Sequence, residues 1–164
     1  MDAALKESLW KQFGAAIDML EQAISECPAE LWDTQEKFWY KAYHTLFFLD
    51  YYLSSDPKSF SPPAPFSLSE FDNSGTLPER VYSKVELVTY VKQCYEKCRQ
   101  RIERITAQNS HERWVNEYRN YSTFEILIYN MRHVQHHTGQ LYLLLRQGAG
   151  KAPRWVSQTP STVS

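Results

Sequence analysis

Apolar residues recur at steps of three and four along four long segments, and each such run predicts an amphipathic helix. The first spans about residues 4–26, with Leu5, Leu9, Phe13, Ile17, Leu20 and Ile24 on one face. Pro28 ends it, because proline cannot continue a helix. The second spans about 34–54 and opens on an Asp33/Glu36 capping box. It carries two apolar stripes. Phe38, Ala42, Leu46, Leu49 and Leu53 form one; Tyr40, His44, Phe47, Phe48 and Tyr51 form a second, aromatic one. A helix apolar nearly all round is buried on more than one side. The aromatic stripe therefore has to meet a site wall, the loop that follows, or a partner subunit. The third helix spans about 84–107 behind a Ser83/Glu86 capping box, with Val85, Val88, Val91, Tyr95, Cys98, Ile102 and Ile105 as its core stripe. Residues 109–121 read as a connector holding Trp114 and Tyr118. The fourth spans about 123–147, from a Ser122/Glu125 capping box to a stop at Gly148. Leu127, Met131, Val134, Leu141 and Leu145 form its core stripe.

Between the second and third helices, residues 55–80 hold five of the eight prolines. An irregular stretch this long is unusual inside one domain unless it carries function or crosses over. Phe60, Phe66, Leu68 and Phe71 mark it as packed on the helices. Its length lets the second and third helices run parallel, as in bundles with one long crossover. The fold class expected is all-α: a four-helix bundle with a long crossover between helices 2 and 3. Residues 1–148 would form the bundle and 149–164 a flexible tail rich in Ser, Thr and Pro, in which Trp155 is the one residue suited to docking.

Composition narrows the function classes. At 164 residues the chain has the size of one domain. Net charge is −1 and no basic cluster occurs, so neither a nucleic-acid groove nor an anionic membrane surface is expected as a partner. No apolar run approaches the roughly 20 residues of a membrane span. The first residues, Met1-Asp2-Ala3-Ala4, lack a basic stretch followed by an apolar one, so no signal peptide is expected. Three cysteines form no disulfide framework, which fits a reducing, cytoplasmic setting. Cys94 and Cys98, one helical turn apart, have the spacing of a metal or redox pair but read as small core residues, the usual role of a buried free thiol.

The chemical signal lies in the histidines: His44, His111, His133, His136 and His137. His133 and His137 stand one turn apart on one face of the fourth helix, so their rings can converge on one ion at roughly 2.0–2.1 Å. His136 is also one turn from His133. At about 100° per residue, however, it falls opposite the Leu127/Leu141 stripe and faces solvent. A third ligand has to come from another helix at matching height. His44, near the middle of the second helix, meets that condition; His111, in a connector near a bundle end, does not. Spacing alone leaves a second reading open, in which these are packed histidines satisfied by a carbonyl or a tyrosine. No Glu-x-x-His, His-Glu-x-x-His, phosphate loop or nucleophile elbow occurs.

One histidine in Ala42-Tyr43-His44-Thr45-Leu46, followed by His133-Val134-Gln135-His136-His137-Thr138-Gly139-Gln140-Leu141, resembles the DinB/YfiT-like family of metal-binding four-helix bundles. The resemblance extends to about Gln147 and includes the long connection. It implies three metal ligands at His44, His133 and His137. It also implies one divalent ion (nickel, zinc or iron) and a small-molecule substrate. Some members resemble S-transferases that use a low-molecular-weight thiol such as bacillithiol or mycothiol; others are described as metal-dependent hydrolases. The family often has Arg before Gly-Gln where this chain has Thr138, so any ion pair made by that arginine is missing.

Three neutral imidazoles leave an ion with at least one open position, as in catalytic rather than structural sites. The first expectation is an enzyme that activates a low-molecular-weight thiol for S-transfer. Tyr40, Tyr51, Asn130 and Gln140 are the candidates to line its pocket, each with an ordinary packing or capping role as the alternative. The second is metal-assisted hydrolysis with a metal-bound water. This needs a general base, and no Asp or Glu falls on the histidine faces; Asp50 lies well around its helix. That gap favours thiol transfer. The third is a non-enzymatic metal-binding or dimerising bundle, and the aromatic stripe makes a homodimer plausible under all three.

Overall fold

A computed structural model describes residues 2–72 and 74–163. Met1, Asn73 and Ser164, which fall in the expected N-terminus, crossover and tail, lie outside the described residues. The helices are α1 (Ala3–Glu26), a short α2 (Ala29–Trp32), α3 (Phe38–Leu53), α4 (Lys84–Glu103) and α5 (Thr123–Ala149). The all-α bundle expected from the periodicity is what forms. Two three-residue strands, β1 (Arg113–Val115) and β2 (Asn120–Ser122), pair antiparallel with Trp114 opposite Tyr121.

Cross-helix contacts give the directions. Lys6 near the start of α1 reaches the Glu103 carbonyl at the end of α4, and Lys84 at the start of α4 reaches the Ser25 carbonyl at the end of α1. Those two helices are antiparallel. Tyr43 meets Tyr82 just ahead of α4, and Asp50 pairs with Lys97 a few turns along it, so α3 and α4 are parallel. His44 stands against His137 and Tyr52 against Tyr129, so α3 and α5 are antiparallel. The crossover between α3 and α4 makes the parallel pair possible.

The second helix starts four residues later than expected. The Asp33/Glu36 capping box does not form: Asp33 Oδ1 accepts from the Trp39 indole at 2.8 Å, and Lys37 at φ 48° turns the chain into α3. The boxes at Ser83/Glu86 and Ser122/Glu125 are both made. Helix α4 stops at Glu103 rather than Ala107. Asn109 takes the backbone bonds instead, donating to the Arg104 carbonyl at 2.9 Å and accepting from the Thr106 amide at 2.7 Å. Gly148 is passed over as a stop; α5 runs to Ala149 and is capped by Gly150, whose φ of +70° suits glycine. The α4 core stripe is rotated from the expected one: Leu87, Tyr90, Val91, Cys94, Cys98 and Ile102 are buried, while Val85 is exposed. Leu5 is exposed as well.

The aromatic stripe of α3 is covered from within the chain. Phe60 and Phe71 of the crossover pack edge-on against Phe47 and Tyr51, with ring centres 4.9–5.4 Å apart. Trp114 of β1 meets Tyr51 and donates from its indole to the Ser54 carbonyl at 3.0 Å. The loop and a site wall therefore cover the face that had left room for a partner subunit. Leu68 of the crossover stays exposed. The C-terminal segment lies along α1 and α4. Thr159 N–H donates to the Lys11 carbonyl, the Trp10 indole to the Ser161 carbonyl, and Tyr95 OH bonds Thr159 and Ser161. Trp155 is left exposed.

Candidate metal centre

Antiparallel packing of α3 on α5 brings His44 level with His133 and His137. One ring nitrogen from each lies within 4.8 Å of the others. Ring centres are 5.8 Å (His44–His133), 4.9 Å (His44–His137) and 4.6 Å (His133–His137) apart. Around a tetrahedral ion bound at the usual zinc–nitrogen distance the nitrogens stand about 3.4 Å apart, so each ring has to move by less than about 1 Å. His136 is exposed and its Nε2 faces the Gln140 amide at 3.3 Å, outside the triad.

Second partners leave particular ring nitrogens free to face an ion. His44 Nδ1 lies 2.6 Å from Glu70 Oε2, which leaves its Nε2 free. His137 Nδ1 lies 2.9 Å from Gln140 Oε1, which again leaves Nε2. A carboxylate or amide behind a ligating imidazole sets tautomer and ring orientation. His133 forms no hydrogen bond among the described residues, and its Nδ1 is buried without a partner. An unpaired buried nitrogen costs free energy that an ion on this ring offsets. Burial, then the neighbouring His137 and His44, hold the His133 pKa down at about 3; burial also lowers His137. Neutral imidazole is the form that binds metal. The residues present fit a divalent ion.

Glu70 is a candidate site residue that helix patterning missed. It comes from a one-turn helix, Ser69–Phe71, in the crossover, and its side chain is 2% exposed. No periodicity places a loop residue, and its one signal was an acid among the loop's apolar residues. No Asp or Glu was expected on the histidine faces of the helices, and the carboxylate beside His44 comes instead from the crossover. Tyr40 lies beside it: burial, then the charge of Glu70, pushes the Tyr40 hydroxyl up to about 12. Asp50 faces the other way, where it accepts from Tyr90 OH at 2.9 Å and pairs with Lys97.

The triad opens into a cleft of about 500 Å³. Its walls include Phe48, Tyr51, Tyr52 and Tyr129 from the helices, Glu70 and Phe71 from the crossover, and residues 116–119 from the hairpin turn. The four pocket candidates divide. Tyr51 lines the cleft and accepts from the Asn116 amide at 3.1 Å. Tyr40 backs the His44–Glu70 pair. Gln140 orients His137 rather than forming wall. Asn130 does not reach the cleft: fully buried, it donates to the Leu49 carbonyl at 2.9 Å and ties α5 to α3. Cys94 and Cys98 are fully buried in the core, where desolvation drives both thiols well above their usual pKa, so they pack rather than react.

A model of the DinB family matches residues 79–161, just over half of the chain. The chain belongs to the DinB family. The matched range holds α4, the hairpin and α5, hence His133 and His137, while His44 and Glu70 lie ahead of it. No curated protein and no solved structure matches the chain. Among the described residues no helix is long and apolar enough to cross a membrane. In this DinB bundle His133 and His137, on one helix, thus meet His44 only through packing.

Proposed function

We propose that this DinB protein binds one divalent ion on His44, His133 and His137 and transfers a low-molecular-weight thiol to an electrophilic small molecule. The observation carrying this reading is the convergence of three imidazoles, with ligand atoms within 4.8 Å of one another, at an open cleft. When bound, the ion supplies Lewis acidity that lowers the pKa of a thiol. In the transfer, a carbon–sulfur bond forms, the bond from that carbon to its leaving group breaks, and the thiol proton passes to solvent. Glu70 and Gln140 hold the His44 and His137 rings in place, and the aromatic walls exclude water from the sulfur.

Metal-assisted hydrolysis is the second reading, and Glu70 favours it, because its Oε1 has no hydrogen-bond partner and its side chain lines the cleft. Thiol transfer stays first because Oε2 is engaged by His44 and Oε1 is buried, so this carboxylate is poorly placed to take a proton from water.

Elemental mass spectrometry of wild type beside His133→Ala tests the site. About one nickel, zinc or iron per chain, lost in the variant, supports it. A wild type that is empty and takes up no added metal removes both readings and leaves a non-enzymatic bundle. Loaded protein is then assayed with a chloronitrobenzene electrophile plus N-acetylcysteine, and with an ester and no thiol. Turnover of the first alone supports transfer; turnover of the second alone, lost in Glu70→Gln, supports hydrolysis.

A further inference from the structure

The hairpin turn brings to the cleft a cation, Arg119, that lies outside the histidine triad. Asn116 Oδ1 accepts from the backbone amides of Tyr118 at 3.0 Å and Arg119 at 2.7 Å, which fixes the turn. The Arg119 guanidinium stacks 4.8 Å from the centre of the Tyr129 ring and 5.5 Å from that of Tyr52, and Nη2 donates to Tyr129 OH at 2.7 Å. Tyr52 in turn stands edge-on to His133, with ring centres 5.8 Å apart. A single aromatic ring therefore links the cation to the triad.

Arg119 forms no ion pair among the described residues, although Glu70 and Glu117 line the same cleft. By contrast, Arg80 and Arg99 pair with acids on the surface. A guanidinium carries five N–H donors in a planar fork. Tyr129 takes one, and stacking on two rings has already immobilised the group. A preorganised, unpaired fork in a cleft is suited to bidentate recognition of an oxyanion.

We infer that Arg119 binds a carboxylate of the small molecule that reaches the three histidines. This rests on the cleft being the ligand site, as proposed above. A planar monoanion matches a single planar fork, whereas a phosphate dianion would meet the charges of Glu117 and Glu70 with no second Lys or Arg among the described residues that line the cleft. The aromatic walls take the apolar body of the ligand.

Isothermal titration calorimetry with 3-mercaptopropionate, 2-mercaptoethanol, propionate and inorganic phosphate tests the inference on wild type, Arg119→Gln and Arg119→Lys. Circular dichroism and metal content are checked on each. Losing a charge-assisted bidentate contact should weaken 3-mercaptopropionate by about tenfold or more in Arg119→Gln. The affinity of 2-mercaptoethanol should not change, and Arg119→Lys should recover part of the loss. Equal wild-type affinity for the two thiols, or an Arg119→Gln variant that binds 3-mercaptopropionate as wild type does, overturns the assignment. So does phosphate binding tighter than propionate. An unfolded Arg119→Gln passes the test to Arg119→Lys, whose planar fork is gone; undiminished 3-mercaptopropionate affinity in it overturns the inference equally. Equal affinity of metal-loaded wild type for the two thiols sinks this inference alone. A metal-free wild type that still binds propionate through Arg119 sinks the metal reading alone.

Discussion

Replacing Glu70 by Gln separates support of the site from support of the fold. In the native chain Glu70 Oε2 lies 2.6 Å from His44 Nδ1, and the side chain is almost fully buried. Gln keeps the shape and an acceptor oxygen but removes the charge. A hydrogen bond to a charged group contributes about 1.5–3 kcal/mol and a neutral one about 1 kcal/mol, so the difference is about 0.5–2 kcal/mol. If His44 binds an ion through Nε2, that difference appears as metal affinity about tenfold weaker, at the low end of what outer-shell substitutions cost. The metal-free protein should respond differently. Glu70 Oε1 is buried without a partner, so removing the charge relieves a desolvation cost and leaves the melting temperature unchanged or higher. The assays are competition for zinc against a colorimetric chelator and thermal melts of the metal-free protein. Unchanged zinc affinity would refute the role assigned to Glu70. A loss of metal-free stability matching the loss of affinity would make the residue a brace of the crossover instead.

Three further outcomes are expected. The metal-free protein should lose stability as pH falls from about 6.5 toward 3, because the unfolded chain protonates His133 at its ordinary pKa while the folded chain resists until about 3. The slope from this group approaches about 1.4 kcal/mol per pH unit, and a His133→Gln variant with an unchanged slope in acid denaturant melts would contradict it. His136→Ala should keep the wild-type metal content by elemental analysis, since His136 is exposed and outside the triad. Gly14→Ala should destabilise by about 1–3 kcal/mol in urea melts. A Cβ there comes within 2.5 Å of Thr159 Cγ2 and 2.8 Å of its Cβ, and Thr159 is pinned by Lys11 and Tyr95. Relief by Thr159→Gly in the same background would show that the clash is with the tail.

Apolar spacing by itself determined the four long helices, because a stripe repeating every three or four residues has only one way to bury itself. It also settled which faces of α1, α3 and α5 turn inward, and the two serine capping boxes, whose partners lie three residues apart in the chain. His133 and His137 were legible for the same reason: one helical turn is local geometry. What tertiary structure alone decided is whatever depends on residues far apart in sequence. Lys37 and Asp33 were drawn into a turn by Trp39, so the start of α3 moved. Trp114 paid no heed to helical period, and burying it at the end of α3 required a hairpin. Above all, Glu70 and Arg119 come from irregular segments. No repeat relates them to His44 or His133, and only the packing of the crossover and the hairpin turn on the bundle brings their charges to the cleft.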